Sequence, residues 1–169
     1  MNVTVLRLGH RKERDKRITT HCALVARAFG ARKIILSGEK DEAIMESVSA
    51  VVKKWGGPFE VVYEENWRKT LKNYKGYKVH LTMYGQKLPG KAKKQKNLLV
   101  VIGAGKVPGE VYKMVDANVA VGSQPHSEVA ALAAFLLKTL GEKPLWRKME
   151  GAKAKIIPQK NSKRVVTTL

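Results

Sequence analysis

The segment LLVVIGAGKVPGE, residues 98–110, places an uninterrupted apolar run directly before a glycine-rich turn. Residues 98–103 do not alternate between apolar and polar side chains, which favours a strand of a parallel sheet covered on both faces. Segments of similar composition, rich in β-branched residues, occur at 3–8, 33–37, 59–63, 78–83 and 117–122. The sequence therefore predicts six strands.

Helical patterns separate these strands. In EKDEAIMESVSAVVKKWGG, residues 39–57, apolar side chains recur at spacings of three and four, and Gly56 ends the pattern. We predict further helices over 19–30, 66–73 and 127–140, and a short one that begins at Pro108. The alternation of strands and helices predicts an α/β fold with a mostly parallel sheet, in a single domain over residues 1–169.

Two segments do not fit the alternation. Residues 85–97 contain five lysines and no acid, with proline and glycine between them, and predict an exposed loop. The tail, residues 152–169, is basic and weakly patterned.

The charge of the chain indicates a polyanionic partner. There are 33 Lys and Arg against 14 Asp and Glu, a net charge of +19. Such an excess attracts nucleic acid through the release of its counterions, although a basic, well-solvated surface is the alternative.

Other features of composition narrow the class of protein. Cys22 is the single cysteine, so neither an intramolecular disulfide nor a cysteine zinc site can form, and we expect a cytoplasmic location. We expect no metal site, because acidic clusters and paired His and Cys spacings are missing from the sequence. Apolar runs end well short of the roughly 20 residues that span a membrane, so we expect no membrane association.

Three turns follow the last three predicted strands: LTMYG at 81–85, GAGKVPGE at 103–110 and GSQPHSE at 122–128. Ligands collect at the carboxyl ends of strands in open α/β sheets, so we expect these turns to line one pocket, the alternative being simple connections. A phosphate-binding P-loop is excluded because Val107 follows Lys106, and a dinucleotide fingerprint because Pro108 replaces the third glycine.

The segment 8–21 follows the first strand and is predicted to be a basic loop. It contains His10, Arg11, Arg14, Arg17 and His21. Arginine side chains at this position suit phosphate oxygens, although a solvated charge run is the alternative. Elsewhere, His80 lies inside a predicted strand, which favours a hydrogen-bonded core residue over a ligand.

Three segments together resemble a known enzyme class. CALVARAFGA, LLVVIGAGKVP and NVAVGSQPHSEVAALAAFLL are similar to the three-motif pattern of SPOUT-class RNA methyltransferases, most closely the archaeal family that methylates the ribose of cytidine 56 in the tRNA T-loop. The resemblance implies a C-terminal trefoil knot, S-adenosylmethionine bound in the knotted loops, a homodimer and tRNA as substrate.

The resemblance also implies site residues. The expected cofactor-binding residues are Leu81, Met83, Gly103, Ala104, Gly105, Lys106, Val107, Val121, Gly122, Ser123, Gln124, Pro125, His126, Ser127 and Glu128. Leu24 stands where many relatives have an arginine, so we expect Arg17 or Arg14 to take that role. Arg17 would hold a phosphate and stabilise the developing alkoxide, while His21 or His10 would accept the proton.

Two other functions compete with this enzyme. A non-catalytic, basic RNA-binding module would explain the net charge but would have no ligand pocket. Another α/β enzyme, acting on a phosphorylated small molecule, leaves the charge of +19 unexplained.

Overall fold

A six-stranded parallel sheet forms the centre of the fold. The computed structural model describes residues 1–88 and 90–167. Within them the sheet strands are β1 (Asn2–His10), β2 (Lys33–Gly38), β3 (Glu60–Tyr63), β4 (Tyr77–Gln86), β5 (Asn97–Gly103) and β6 (Ala117–Val119). Their spatial order is β3-β2-β1-β5-β4-β6, with every pair parallel. The predicted α/β fold with a parallel sheet is confirmed.

Helices connect the strands. They are α1 (Lys12–Ala28), α2 (Glu42–Trp55), α3 (Trp67–Asn73), α4 (Val111–Met114), α5 (Glu128–Leu140) and α6 (Lys143–Trp146). Side-chain oxygens of Asp41, Asn66 and Ser127 accept backbone amides at the starts of α2, α3 and α5. These caps satisfy donors that have no partner within the helix, which fixes where each helix begins.

Apolar side chains cover the sheet on both faces. On one face Val5, Val100 and Phe135 belong to a cluster that α1, α2 and α5 complete. On the other face Leu6 and Leu99 belong to a second cluster, which α3 and α4 cover. This double covering explains why the central strands are continuously apolar.

Helix α1 corrects two predictions. The helix predicted to begin near Thr19 begins at Lys12, so most of the predicted loop 8–21 is helical and Leu8–His10 extend β1. Asp15 accepts the backbone amide of Arg11, and Glu39 accepts that of Lys12, at 3.2 and 2.7 Å. These carboxylates accept the first backbone amides of the helix, and their negative charge interacts favourably with the positive end of the helix dipole. The helix therefore needs no serine or threonine as its N-cap.

The segment 85–97 is only partly the loop that was predicted. Strand β4 continues to Gln86, and a 3₁₀ turn spans Gly90–Lys94. An alanine Cβ at Gly85 would lie 2.5 Å from the amide nitrogen of Val119, so glycine allows β6 to approach. Pro89 lies outside the described residues.

The tail contains regular structure that its weak pattern did not predict. Strands β7 (Ala154–Ile157) and β8 (Arg164–Thr167) form an antiparallel hairpin. The short β-branched runs of this hairpin are interrupted by lysines, which conceals their periodicity. Thr168 and Leu169, the last residues of the predicted tail, lie outside the described part of the chain.

Smaller differences concern element ends. Strand β6, predicted to reach residue 122, ends at Val119, and the chain then leaves the sheet. Pro108 lies one turn before α4 rather than at its first position, and its carbonyl accepts the amide of Val111. Among residues 1–88 and 90–167, each helix is too short or too polar to cross a bilayer.

Candidate active site

A cavity of about 630 Å³ lies at the carboxyl ends of β4, β5 and β6; we call it the β4–β5 cavity. Ten of the predicted cofactor residues line it: Leu81, Met83, Gly103, Ala104, Gly105, Lys106, Val107, Val121, His126 and Glu128. They come from three segments that are distant in sequence, as the positions of the three turns predicted. Their role in binding stays a prediction.

The remaining predicted cofactor residues lie elsewhere. Gly122 and Ser123 line a neighbouring cavity of about 580 Å³, which shares Met83 and Val121 with the β4–β5 cavity. Gln124, Pro125 and Ser127 line neither cavity. Ser127 instead accepts the amide of Ala130 and caps α5.

The turn after β5 forms one wall of the cavity. A Cβ atom on Gly103 would lie 2.2 Å from Cγ2 of Val107, so any larger residue here would require Val107 to move. The amide of Ala104 donates to the carbonyl of Leu8 at 2.9 Å, which ties the wall to β1. The wall is therefore held by backbone contacts rather than by flexible side chains.

Glu128 places a carboxylate in the β4–β5 cavity. This carboxylate pairs with Arg7, which the sequence analysis did not identify as part of the site. Nη2 of Arg7 donates to Oε1 of Glu128 at 3.1 Å. The Arg7 side chain is 0% exposed and that of Glu128 23% exposed. Within the described residues, Nε and Nη1 of Arg7 are buried without a hydrogen-bond partner. The only sequence signal was a charged residue inside the apolar strand VTVLRL.

Two titratable groups lie close to Arg7. Burial raises the pKa of the Cys22 thiol to about 11, although the positive charge of Arg7 opposes the change. Burial also raises the pKa of Asp15, but the hydrogen bond and charge of Arg11, together with the charge of Arg7, outweigh it and the net pKa is lowered. Cys22 is therefore a protonated, buried thiol near neutral pH, and Asp15 is ionised.

His80 is a buried, hydrogen-bonded residue of β4, as predicted, and it also lines the β4–β5 cavity. The Nδ2 atom of Asn118 donates to the carbonyl of Tyr112, so Oδ1 is free to accept from Nδ1 of His80 at 2.9 Å. Burial lowers the pKa of His80, and the bond to Asn118 only partly opposes this. The neutral ring consequently keeps Nε2 as a hydrogen-bond acceptor.

The residues predicted to be catalytic lie apart from this cavity. Arg14, Arg17 and His21 are exposed on α1 and line neither the β4–β5 cavity nor its neighbour. Their spacing places them on one side of the helix, with Ile18 between them at 37% exposed. Nε of Arg14 lies 4.0 Å from Oδ1 of Asp15. Their catalytic role stays a prediction.

A second cavity, of about 470 Å³, lies at the carboxyl ends of β1 and β2; we call it the β1–β2 cavity. It shares the wall 103–107 with the β4–β5 cavity. His10 lines it but is 1% exposed, with Nδ1 2.7 Å from Oγ1 of Thr19 and Nε2 3.3 Å from Oδ2 of Asp41. Because both ring nitrogens are engaged, His10 is poorly placed to accept a proton from a substrate.

The amino-acid sequence matches a known family of RNA-modifying enzymes. The family model for tRNA ribose 2′-O-methyltransferase, aTrm56, matches residues 55–166. A relative from Pyrococcus horikoshii named tRNA (cytidine(56)-2′-O)-methyltransferase is 55% identical over 171 residues, covering 97% of this chain and 84% of the relative.

Solved structures share the fold. The AdoMet-bound rRNA methyltransferase of Sinorhizobium meliloti has a TM-score of 0.63 at 18% identity, covering 86% of this chain and 57% of that chain. The TrmH/SpoU tRNA modifying enzyme of A. aeolicus has a TM-score of 0.60 at 12% identity, covering 87% and 80%. Together with the strand order, these likenesses confirm the SPOUT-type α/β fold. The identity to the Pyrococcus relative and the match to the family model show that the chain belongs to the aTrm56 family of tRNA ribose 2′-O-methyltransferases.

Proposed function

We propose that the chain transfers a methyl group from S-adenosylmethionine to the ribose 2′-oxygen of cytidine 56 in tRNA. One observation carries the proposal: the three predicted turns, 81–85, 103–110 and 122–128, converge on the β4–β5 cavity in a chain of the aTrm56 family. The cavity, at about 630 Å³, is within the usual size range for cofactor sites. A non-catalytic RNA-binding module would not need it.

The lining of the cavity suits this cofactor. Gly103 and Gly105 expose backbone groups, and the apolar side chains of Leu81 and Val121 can contact an adenine ring. The carboxylate of Glu128 supplies a negative charge that can attract a cationic ligand. The cofactor supplies an electrophilic methyl group, so the protein needs chiefly to align the ribose and stabilise the oxygen that loses its proton.

The α1 side chains are the proposed catalytic groups. An arginine is a poor base because its guanidinium group stays protonated at neutral pH, so Arg17, or Arg14 beside it, would hold the neighbouring phosphate and stabilise the developing alkoxide. His21 would accept the proton. Because these exposed residues do not line the β4–β5 cavity of their own chain, we propose that they act on the cavity of the second subunit in a homodimer.

Exposed cations supply the proposed tRNA surface. In the segment 87–96 these include Lys87, Lys93 and Lys94, and on the hairpin they include Lys155 and Arg164. Contacts of this kind are made with phosphates and release counterions, so tRNA affinity should fall steeply as salt rises. A binding constant that does not change between low and moderate salt would contradict this surface.

Three broader expectations belong with this proposal. We propose that residues 1–169 act as one domain, in which a bridge between Gly57 and Glu150 ties the segment just before the tail to the residues after α2. We also propose a trefoil knot between β4 and α5, supported by the return of α5 from the sheet edge to pack on α1. A crystal structure traced through residues 77–141 tests the knot. The tRNA substrate favours a cytoplasmic location.

The decisive experiment maps the product on an unmodified tRNA transcript. The transcript is incubated with the protein and S-adenosylmethionine, digested, and analysed by mass spectrometry. We expect one 2′-O-methyl group, on cytidine 56. Methylation at another nucleotide, or none despite bound cofactor, would overturn the proposal.

A further inference from the structure

The β1–β2 cavity lies beside the proposed cofactor site but belongs to a different part of the sheet edge. Five of its lining residues, 103–107, also line the β4–β5 cavity, Pro108 follows them, and the rest lie at the ends of β1 and β2, directly after them, or at the start of α3. We infer that the β1–β2 cavity binds the nucleotide to be methylated, with Glu39 recognising its cytosine. This inference rests on the proposed function.

Arg11 provides a positioned cation at this cavity. Its Nε donates to Oδ2 of Asp15 at 3.1 Å, and its side chain is 44% exposed. Nη2 lies 3.9 Å from the place where a Cβ on Gly105 would stand. Within the described residues neither Nη atom donates a hydrogen bond, so both remain available for the phosphate of a nucleotide.

Glu39 provides the proposed base specificity. Its Oε2 accepts the backbone amide of Lys12 at 2.7 Å, which holds the carboxylate at the rim of the cavity. No described residue donates to its Oε1. A carboxylate accepts a hydrogen bond from the exocyclic amine of cytosine, whereas uracil presents a carbonyl oxygen at the same position and would be repelled.

Trp67 provides aromatic surface in the same cavity. The Arg68 guanidinium lies over its ring, with Cζ 4.3 Å from the centroid, and Glu110 pairs with Arg68. The ring also packs on the apolar cluster beneath the sheet. The ring is partly exposed and lines the cavity, so an unpaired base bound there would contact the part of the ring that Arg68 leaves uncovered.

The wall 103–107 is common to the two cavities. Gly38 is needed for packing within the sheet, because a Cβ there would lie 2.4 Å from the carbonyl oxygen of His10, and Gly9 leaves the edge of the β1–β2 cavity open. Lys106 lines both cavities. A nucleotide in the β1–β2 cavity would therefore present its ribose at the wall shared with the cofactor site. Reaching it requires the nucleotide to leave the tRNA stack.

The first test uses Glu39→Gln with Glu46→Gln as the matched control, since Glu46 is exposed on α2 and lines neither cavity. Rates are measured on transcripts with cytidine or uridine at position 56, and S-adenosylmethionine affinity by calorimetry. We expect Glu39→Gln to lower kcat/KM for cytidine about tenfold and to reduce the preference for cytidine over uridine. Cofactor affinity should stay within about twofold of wild type in both variants.

The outcomes separate this inference from the proposed function. A wild-type protein that leaves cytidine 56 unmethylated refutes the proposed function itself. If the wild type is active, and Glu39→Gln keeps its rate and its base preference, the nucleotide assignment is wrong. Loss of cofactor binding in Glu39→Gln would also overturn it, because the two cavities would not be functionally separate.

A second test needs no variant. A transcript with 5-iodocytidine at position 56 is crosslinked by light to the wild-type protein, and the attached peptide is identified by mass spectrometry. Attachment at Trp67, or within residues 38–39, supports the inference. Attachment confined to the tail hairpin or to the segment 87–96 refutes it.

Discussion

Arg7 of the first strand and Glu128 of α5 form an ion pair of 3.1 Å although 121 residues separate them. The pair joins the buried centre of the sheet to the β4–β5 cavity, since Arg7 is fully buried and Glu128 lines the cavity. Among the described residues Glu128 is the carboxylate that pairs with Arg7, so the buried cation depends on it.

Replacing Glu128 by glutamine should destabilise the fold. Arg7 would remain buried without the carboxylate that accepts its hydrogen bond, and Asp15 would be the remaining negative charge close to it, so we expect the free energy of unfolding to fall by about 2 kcal/mol. Urea unfolding measures this. The double variant Arg7→Met with Glu128→Gln removes both charges and should lose clearly less than the sum of the two single variants. Additive losses would mean that the two charges do not interact.

Replacing Gly103 by alanine should weaken cofactor binding. The added methyl group would lie 2.2 Å from Cγ2 of Val107, so the wall 103–107 must move. We expect S-adenosylmethionine affinity to fall at least about tenfold, measured by calorimetry. The double variant Gly103→Ala with Val107→Ala is the matched test, because it removes the Cγ2 atom that the added methyl group would meet. Failure of the double variant to recover any affinity would exclude the steric explanation.

The burial of His80 predicts how stability depends on pH. Burial lowers its pKa below the ordinary value of 6.5, so the folded protein resists protonation of this ring more than the unfolded chain does. The contribution of His80 to stability is present above pH 6.5 and is lost as the pH falls through the folded-state pKa. We expect Tm to fall on acidification, and less so in His80→Gln. Identical pH profiles for the two proteins would contradict this assignment.

The position of Arg17 on α1, outside the β4–β5 cavity of its own chain, predicts that catalysis requires two subunits. Arg17→Ala should lower kcat about 100-fold and leave cofactor affinity unchanged, while Arg17→Lys should retain part of the rate. Co-expressing Arg17→Ala with Gly103→Ala gives mixed dimers, and one site of such a dimer has both an intact cavity and an intact Arg17 only if α1 acts across the dimer. In that case the mixture should recover about a quarter of wild-type activity, measured at a cofactor concentration too low to fill the Gly103→Ala cavity. No recovery would place Arg17 in the site of its own subunit.

Local patterns predicted much of this fold. The apolar runs of β1, β2 and β5 and the stripe of α2 are determined by neighbours within one element, so periodicity and capping residues identify them. Ser127 illustrates this, because its cap depends only on an amide three residues away. The convergence of the three turns also followed, since the carboxyl ends of parallel strands share one edge of a sheet.

The start of α1 and the tail hairpin were not predicted, because neither segment has a clear apolar pattern of its own. The charged residues 11–17 have no apolar stripe of their own, and their helix begins where Asp15 and Glu39 accept its first amides. Glu39 lies 27 residues from the amide that it accepts. A pattern confined to one segment contains no information about such a partner.

From its residues alone, this chain could be assigned to a parallel α/β fold, to a polyanionic partner and, through three motifs, to an RNA methyltransferase class. Three-dimensional packing was needed to pair Arg7 with Glu128, to place the β1–β2 cavity against the wall 103–107, and to leave Arg14, Arg17 and His21 outside their own cofactor cavity. The physical reason is distance along the chain: hydrophobic periodicity and caps act over a few residues, whereas these contacts join segments that only the closed core brings together.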